Sequence, residues 1–219
     1  MSESNYPGIQ TLLVIDVQVG LVRGVNAVPE AGALLERIAA LAANARRAGA
    51  LIVHLQNDGA AGAADEPGTP GWELARPVQE RADELVIRKT SDDGFQQTGL
   101  AAILAEQDAR RIAVCGLLSE MCVSATARTA LAKGFEVTMP HDTHATYDIP
   151  EAPGLSDRVP AAMVSRVAEW ALGDQIHIVP HATDLDFTAR IHRAWHLLAR
   201  AAEGPAARLR ALPSGALSP

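Results

Sequence analysis

Short apolar runs alternate with longer amphipathic segments along most of the 219-residue chain. Each run holds four or five residues, is rich in Val, Ile and Leu, and predicts a buried strand. The six strands predicted in this way span residues 11–15, 51–55, 84–87, 112–115, 135–139 and 175–179.

The segments between these strands carry apolar residues three or four positions apart, which is the spacing of one helix face. The clearest segment places Leu34, Leu35, Ile38 and Leu41 on that face and is followed by Gly49, a common stop signal. Helices are therefore predicted over residues 30–48, 99–107, 121–133, 157–172 and 184–201.

Strands that alternate with helices of this length are typical of a parallel sheet covered on both faces. We predict an α/β fold with three αβα layers, in which a doubly wound, mostly parallel and Rossmann-like sheet has six strands. Residues 1–203 are expected to form a single domain and residues 204–219 a loosely ordered C-terminal tail. The Gly-, Ala- and Pro-rich stretch 56–71 is predicted to be a long functional loop.

The composition narrows the function classes. A hydrophobic fraction of 48% and a charged fraction of 21% describe a soluble globular protein, and the net charge of −7 argues against a nucleic-acid partner. The sequence shows neither a secretory signal pattern nor an apolar run long enough to span a bilayer. Because only two cysteines occur, Cys115 and Cys122, we expect free thiols and a cytoplasmic location.

Three polar residues follow predicted strands, at the sheet edge where α/β proteins bind ligands. Asp16 ends the first strand, Lys89 lies just past the third, and Cys122 lies where the fourth strand leads into a helix. Helix N-terminal N–H groups favour a thiolate, Lys stabilises it, and Asp accepts and returns its proton. Taken singly, each residue also has an ordinary explanation: a helix cap, a solvated cation and a small buried side chain.

Three segments together resemble the isochorismatase-like cysteine hydrolase superfamily: LLVIDVQVGLV, VIRKTSDDGFQQTGLAAIL and VCGLLSEMCVSATARTALAKGFEVTMPHDTHATYD. The nucleophile motif Gly-x-x-Ser/Thr-Glu/Asp-x-Cys-Val is met by residues 116–123. The resemblance implies an isochorismatase-like fold and a catalytic triad of Asp16, Lys89 and Cys122. It further implies a cis peptide between Leu117 and Leu118 and an oxyanion hole formed by the N–H groups of Leu118 and Cys122.

Within this superfamily, nicotinamidases carry a metal site with Asp-x-His and a further His after the second strand. The equivalent stretch HLQNDGAAGAADEPGTPGWEL lacks that cluster, so no metal site and no cofactor are predicted. The likeness is strongest to the branch that holds uncharacterised members and lactam hydrolases. Because Cys122 is retained, we expect hydrolysis of a C–N bond in a small amide, lactam or carbamoyl substrate through a thioester. The alternatives are a vinyl-ether hydrolase of the isochorismatase type and a non-catalytic member of the fold.

Four residues are predicted to line the substrate pocket: Gln18, Trp72, Phe95 and Tyr147. Each also has a structural reading, because Gln18 could serve a helix start, Tyr147 could anchor a loop, and both Trp72 and Phe95 could cover the core or a subunit contact.

The remaining histidines and the assembly are less constrained by the sequence. His54, His141 and His144 are not tied together by any spacing, so a hydrogen-bonded loop is favoured over a zinc site. Cys115 is predicted to be a core residue. The resemblance implies a homodimer or a larger homo-oligomer, for which Trp195, Leu197 and Leu198 offer an apolar contact.

Overall fold

The computed structural model describes residues 8–79 and 81–189, and within them a seven-stranded parallel sheet. The strand order is β3-β2-β1-β4-β5-β7, and the two-residue strand β6 pairs with the end of β4. The predicted α/β fold is confirmed, with β6 added to the six predicted strands. The strands are β1 (Thr11–Ile15), β2 (Leu51–Asn57), β3 (Glu84–Lys89), β4 (Arg111–Leu117), β5 (Glu136–Pro140), β6 (His144–Ala145) and β7 (Ile176–Val179).

Helices cover both faces of the sheet, as the alternating pattern predicts. They are α1 (Val19–Val22), α2 (Ala31–Ala48), α3 (Leu100–Glu106), α4 (Ser124–Ala132) and α5 (Ala161–Trp170). Helix α2 stops at Gly49, whose left-handed conformation (φ 73°) lets its N–H bond the carbonyl oxygens of Ala45 and Arg46. No helix within residues 8–79 and 81–189 has both the length and the apolar character needed to cross a membrane.

Strand β1 separates two hydrophobic cores because successive side chains of a strand point to opposite faces. Leu12 and Val14 pack with the helix α2 side, whereas Leu13 and Ile15 pack with α3 and α4. All five residues of β1 are buried, and complete burial of one such side chain stabilises the fold by about 2 kcal/mol. The continuous apolar run in the sequence therefore marks the centre of the three-layer domain.

The order of the strands reverses direction between β1 and β4. The chain first builds outward from β1 through β2 to β3, and then returns to add β4, β5 and β7 on the other side. Ligands of doubly wound folds bind at such a reversal, beyond the carboxyl ends of the strands. Ile15 and Gly116 are paired at this point, directly before the segments that carry the candidate catalytic residues.

Gly116 allows the closest approach between β1 and β4. Its φ is 122°, and a Cβ at this position would clash with the carbonyl oxygen of Ile15. We expect Gly116→Ala to lower the free energy of unfolding by at least about 2 kcal/mol. The strain of a positive φ and the overlap of the new Cβ with the Ile15 carbonyl oxygen both contribute to this loss. Gly134→Ala is the matched control: its φ is 85° but its Cβ would meet open space, so it should cost about 1 kcal/mol. Equal losses in urea unfolding would contradict the proposed overlap.

The helices predicted near the C-terminal half differ from the structure in three places. The predicted helix 121–133 begins instead with a π-helical turn at Ser119–Val123 that runs into α4. The predicted helix 157–172 begins only at Ala161, because Val159 pairs with Ile149 and Pro160 precedes the first turn.

The third difference concerns the predicted helix 184–201. Asp184 ends a 3₁₀ turn, Ala182–Asp184, and residues 185–189 are not helical, since Phe187 bridges to Ile9 next to β1. The rest of that predicted helix lies outside the described residues, and so does the predicted tail 204–219. The same is true of the predicted contact residues Trp195, Leu197 and Leu198.

Candidate active site

Asp16, Lys89 and Cys122 meet in one buried cluster. Lys89 Nζ donates to Asp16 Oδ2 at 2.7 Å and lies 3.4 Å from Cys122 Sγ. The side chains of Lys89 and Asp16 are 0% and 3% exposed, and Cys122 is 9% exposed. Three groups of different charge are therefore held together out of bulk water, at the strand reversal.

Each of these residues is positioned by the end of a strand. Asp16 directly follows β1 and has a left-handed φ of 51°, and its N–H bonds the Leu55 carbonyl oxygen of β2 at 2.9 Å. Lys89 is the last residue of β3, two strands away from β1. Cys122 lies in the π-helical turn that follows β4.

The Lys89 ammonium has more partners than the two candidate catalytic groups. It also lies 3.1 Å from the Ser91 carbonyl oxygen and 3.4 Å from Asn57 Oδ1. Burial opposes the charge of Lys89, but Asp16 and Cys122 more than offset this and raise its pKa above the ordinary value. Lys89 therefore stays protonated and supplies a fixed positive charge to the cluster.

Asp16 is a carboxylate with basic character. Burial raises its pKa to about 6, against the opposing effects of Lys89 and the Cys122 thiol. Its second oxygen, Oδ1, is buried and has no hydrogen-bond partner among the described residues. A buried acceptor with a raised pKa can take up a proton more readily than an ordinary aspartate.

Cys122 rests as a neutral thiol. Burial raises its pKa, the negative charge of Asp16 adds to this effect, and Lys89 only partly opposes both. This differs from the sequence-based expectation that a helix start would favour the thiolate. The difference arises first because the thiol is buried, and then because folding brings it close to the carboxylates of Asp16 and Asp92.

Asp92 is a member of the cluster that the sequence did not indicate. Its Oδ1 lies 3.6 Å from Cys122 Sγ, and its charge contributes to the raised pKa of the thiol. In the sequence, Asp92 appears only as one of two adjacent acidic residues, Asp92 and Asp93, that follow Lys89. Nothing in the spacing distinguishes the one that faces the thiol.

Replacing Asp92 by Asn should make Cys122 more reactive. Removal of this charge lowers the pKa of the thiol, so alkylation by iodoacetamide at pH 8 should accelerate about 3- to 10-fold. Asp93→Asn is the matched control, because Asp93 instead accepts hydrogen bonds from Phe95 N and Thr129 Oγ1. An unchanged or slower rate in Asp92→Asn, measured by intact mass, would contradict this electrostatic role.

The backbone before Cys122 has the form that the resemblance implies. The peptide between Leu117 and Leu118 is cis. The carbonyl oxygen of Leu118 accepts hydrogen bonds from Met121 N at 3.1 Å and Val123 N at 3.2 Å. The π-helical turn is thus closed onto Leu118 and fixes the backbone on either side of Cys122.

The sequence matches the Isochorismatase domain family over residues 10–169. The chain belongs to the isochorismatase family. The resemblance stated from the three sequence segments is therefore confirmed, and the matched region includes Asp16, Lys89 and Cys122.

Relatives and solved structures agree with this membership. The chain is 61% identical over 181 residues to streptothricin hydrolase from Streptomyces noursei, covering 83% of this chain and 66% of that protein. It thus spans just under two thirds of the relative's length. An isochorismatase structure from Pseudomonas putida has a TM-score of 0.73 at 26% identity, covering 83% of this chain and 94% of its own. The pyrazinamidase of Pyrococcus horikoshii, solved with zinc, has a TM-score of 0.63 at 26% identity, covering 78% and 98%.

Among the predicted pocket residues of this family member, Gln18 has a structural role. It is fully buried, and its Nε2 donates to the carbonyl oxygens of Asn57 at 2.9 Å and Trp72 at 3.0 Å. Its Oε1 accepts from Asn57 N at 2.9 Å. Both ends of the amide are thus hydrogen-bonded to backbone, so Gln18 fastens the long loop, and its predicted contact with substrate stays a prediction.

The three aromatic residues predicted to line the pocket lie in different surroundings. Phe95 is buried in the same core cluster as Cys122 and stacks on Phe135 at 6.1 Å. Trp72 donates its indole N–H to Asp58 at 2.9 Å, with the Arg88 guanidinium 5.0 Å from its ring.

Tyr147, the third aromatic residue, donates its hydroxyl to the Asn26 carbonyl oxygen. Burial and the nearby Asp65 charge raise the pKa of Tyr147. The charge of Asp65 thus acts on Tyr147, whereas the Trp72 ring is held by Asp58 and Arg88.

Asn57 and Asp65 connect the long loop to the cluster, although neither residue is marked by a motif or a periodic pattern. Asn57 Nδ2 donates to Asp65 Oδ2 at 2.6 Å, while its Oδ1 faces Lys89 Nζ. Asp65 is itself buried and helps to raise the pKa of Asp16. The loop predicted over residues 56–71 is thus folded against the candidate catalytic residues.

The three histidines considered in the sequence belong to two separate sites. His54 Nε2 pairs with Glu84 Oε1 at 2.9 Å, and Arg46 holds the same carboxylate at 2.6 Å. His141 and His144 instead share Glu169, which lies on α5. The sequence did not predict that Glu169 contacts these histidines, because it lies 25 positions beyond His144.

Proposed function

We propose that this chain is a cysteine hydrolase that cleaves the C–N bond of a small amide, lactam or carbamoyl substrate. The observation that carries the proposal is the buried contact of Lys89 with both Asp16 and Cys122. A base, a fixed cation and a thiol in one cluster are the groups that covalent amide hydrolysis requires. Membership of the isochorismatase family and the resemblance to streptothricin hydrolase support it.

In the proposed first step the Cys122 proton moves to Asp16 as the sulfur attacks the substrate carbonyl carbon. Once Asp16 is protonated, its charge no longer opposes the thiolate, and Lys89 at 3.4 Å stabilises the sulfur. The carbonyl oxygen becomes an oxyanion, which we assign to the backbone N–H groups of Leu118 and Cys122.

In the proposed second step the tetrahedral intermediate collapses and the C–N bond breaks. Asp16 returns its proton to the leaving nitrogen and a thioester remains on Cys122; the amine departs from an open-chain substrate, whereas in a lactam it stays attached to the acyl group of the opened ring. A water molecule then attacks the thioester while Asp16 accepts its proton. The C–S bond then breaks, the acyl group leaves as a carboxylic acid, and Asp16 returns the proton to the Cys122 sulfur, which restores the thiol.

The substrate class is tested by a panel of amides, lactams and carbamoyl compounds, streptothricin among them, given to the wild type and to Cys122→Ser. We expect turnover by the wild type, and intact mass should show an added acyl group on Cys122 during turnover. Turnover of a vinyl ether but of no amide would contradict the proposal, and so would full turnover by Cys122→Ser.

We also propose a homodimer or larger homo-oligomer, and a cytoplasmic location consistent with two free cysteines. Support for the assembly comes from the family resemblance and from exposed apolar side chains on α5: Met163, Val167 and Trp170. Light scattering after size-exclusion chromatography should give at least twice the 23.1 kDa chain mass. A single 23.1 kDa species at micromolar concentration would contradict the assembly.

A further inference from the structure

Two imidazoles and one carboxylate that take no part in the proposed reaction converge on one another. His141 Nδ1 lies 2.5 Å and His144 Nε2 lies 3.0 Å from the same oxygen, Glu169 Oε1. One ligand-type atom from each residue lies within 4.8 Å of the others. The ring centroids of the two histidines are 6.0 Å apart and the rings are nearly perpendicular. One nitrogen of each ring, Nδ1 of His141 and Nε2 of His144, faces the carboxylate.

The three residues come from different parts of the fold. His141 lies in the 3₁₀ turn His141–Thr143, His144 in β6 and Glu169 near the end of α5. The side chains of His144 and Glu169 are 0% and 1% exposed, whereas that of His141 is 48% exposed. Tertiary folding therefore builds a cluster with two rigid, buried members and one member open to solvent.

The outer atoms of the two buried members are already occupied. His144 Nδ1 lies 2.8 Å from Ser119 Oγ, which in turn lies 2.9 Å from Ser165 Oγ. Glu169 Oε2 accepts from Arg166 at 3.1 Å. These contacts fix the ring and the carboxylate with His144 Nε2 and Glu169 Oε1 turned toward each other, which is the outer support that metal ligands need.

A cavity gives access to the cluster. It has a volume of about 410 Å³, and His141 and His144 form part of its wall together with Asp142 and His181. An ion would thus enter at the half-exposed His141, behind which the side chains of His144 and Glu169 are buried, and a water molecule could complete its coordination.

We propose that His141, His144 and Glu169 form a binding site for a divalent transition-metal ion, for which Zn²⁺ is the probe. Two neutral imidazoles and one carboxylate suit zinc, with water as the fourth ligand. Tetrahedral ligands at zinc distances lie about 3.3 Å apart, so a bound ion would push both imidazole nitrogens slightly away from Glu169 Oε1.

This site is separate from the metal site of nicotinamidases, which follows the second strand. The equivalent segment here follows β2, whereas the proposed ligands lie on β6, the preceding 3₁₀ turn and α5. A bound ion would join these elements. Through His144 and Ser119 it would also brace the turn Ser119–Val123 that carries Cys122.

The test is calorimetric titration of Zn²⁺ into the chelator-treated, full-length protein. We expect one site with a Kd below about 1 µM, and a weakening of at least about 100-fold in both His141→Ala and Glu169→Gln. Zn²⁺ at 100 times its Kd should also raise the Tm of the wild type by about 5 °C, but not that of His141→Ala. His141 is half exposed, so its variant should fold, which circular dichroism verifies.

Two controls separate this site from other zinc ligands. His181→Ala removes another histidine of the same cavity and should leave Kd unchanged within threefold. The double variant His192→Ala/His196→Ala removes a histidine pair outside the described residues and should also bind normally. Loss of binding in the double variant with retention in His141→Ala would overturn the proposal. Absence of wild-type binding at 100 µM Zn²⁺ would show that the cluster is a hydrogen-bond network only, and would overturn it too.

Discussion

Cys122→Ala is expected to lower kcat/KM for amide hydrolysis by at least about 10³-fold. The substitution removes the only sulfur that contacts Lys89 among the described residues, so no covalent intermediate can form. Because the side chain is small and 9% exposed, the loss of one sulfur atom should leave the fold intact. The rate is measured with the best amide from the panel, or with p-nitrophenyl acetate as a reporter.

The second cysteine provides a matched control. Cys115 is fully buried in β4, and burial raises the pKa of its thiol, but the hydrogen-bond partner of its sulfur among the described residues is only the Leu13 carbonyl oxygen at 3.5 Å. Cys115→Ala should therefore keep kcat/KM within about threefold, at a modest cost in stability. Iodoacetamide should label the wild type once, at Cys122. Loss of activity in Cys115→Ala with retention in Cys122→Ala would contradict the assignment of the nucleophile.

Asp16→Asn should be the second most damaging change, with a loss of about 10²- to 10⁴-fold in kcat/KM. Asparagine cannot take the Cys122 proton, and it leaves Lys89 without the carboxylate at 2.7 Å. Lys89 keeps the Ser91 carbonyl oxygen and Asn57 Oδ1 as partners, so the variant should still fold.

The pH profile of the wild type gives this prediction a sharper form. The pKa of Asp16 is raised to about 6, and only its ionised form can accept the thiol proton. As pH falls below about 6, Asp16 becomes protonated and kcat/KM should drop tenfold per pH unit. This fall is the acidic limb of the pH profile, and the residual activity of Asp16→Asn should lack it. If the limb persists unchanged in the variant, another group is responsible for it.

Asp65→Asn tests the electrostatic origin of that limb. The Asp65 charge helps to raise the pKa of Asp16, so its removal should shift the acidic limb of kcat/KM to lower pH. Asp108→Asn is the matched control, because Asp108 is exposed and pairs loosely with Arg110 at 3.9 Å. A limb that stays in place in Asp65→Asn would mean that the long loop does not influence Asp16.

The sequence by itself determined the layered fold and the strand ends where polar residues collect. A buried parallel strand needs apolar side chains on both faces, so β1 and β4 appear as continuous apolar runs that cannot be mistaken for loops. Asp16 stands out because it is the first charge after such a run, whereas Lys89 follows Arg88 at the end of β3. The family motif then singled out Cys122 and its backbone, including the cis peptide after Leu117.

The resemblance grouped Asp16, Lys89 and Cys122, but only the tertiary structure decided which further polar groups join them. Lys89 reaches Asp16 across 73 positions of sequence, and Asn57, Asp65 and Asp92 join them through loops whose course no periodic pattern describes. The charge state of Cys122 was likewise beyond the sequence, since the pKa of a thiol depends on burial and on carboxylates brought near by folding. Local patterns fix where a strand ends, whereas the distances between strand ends, and hence the chemistry between them, follow from how the layers pack.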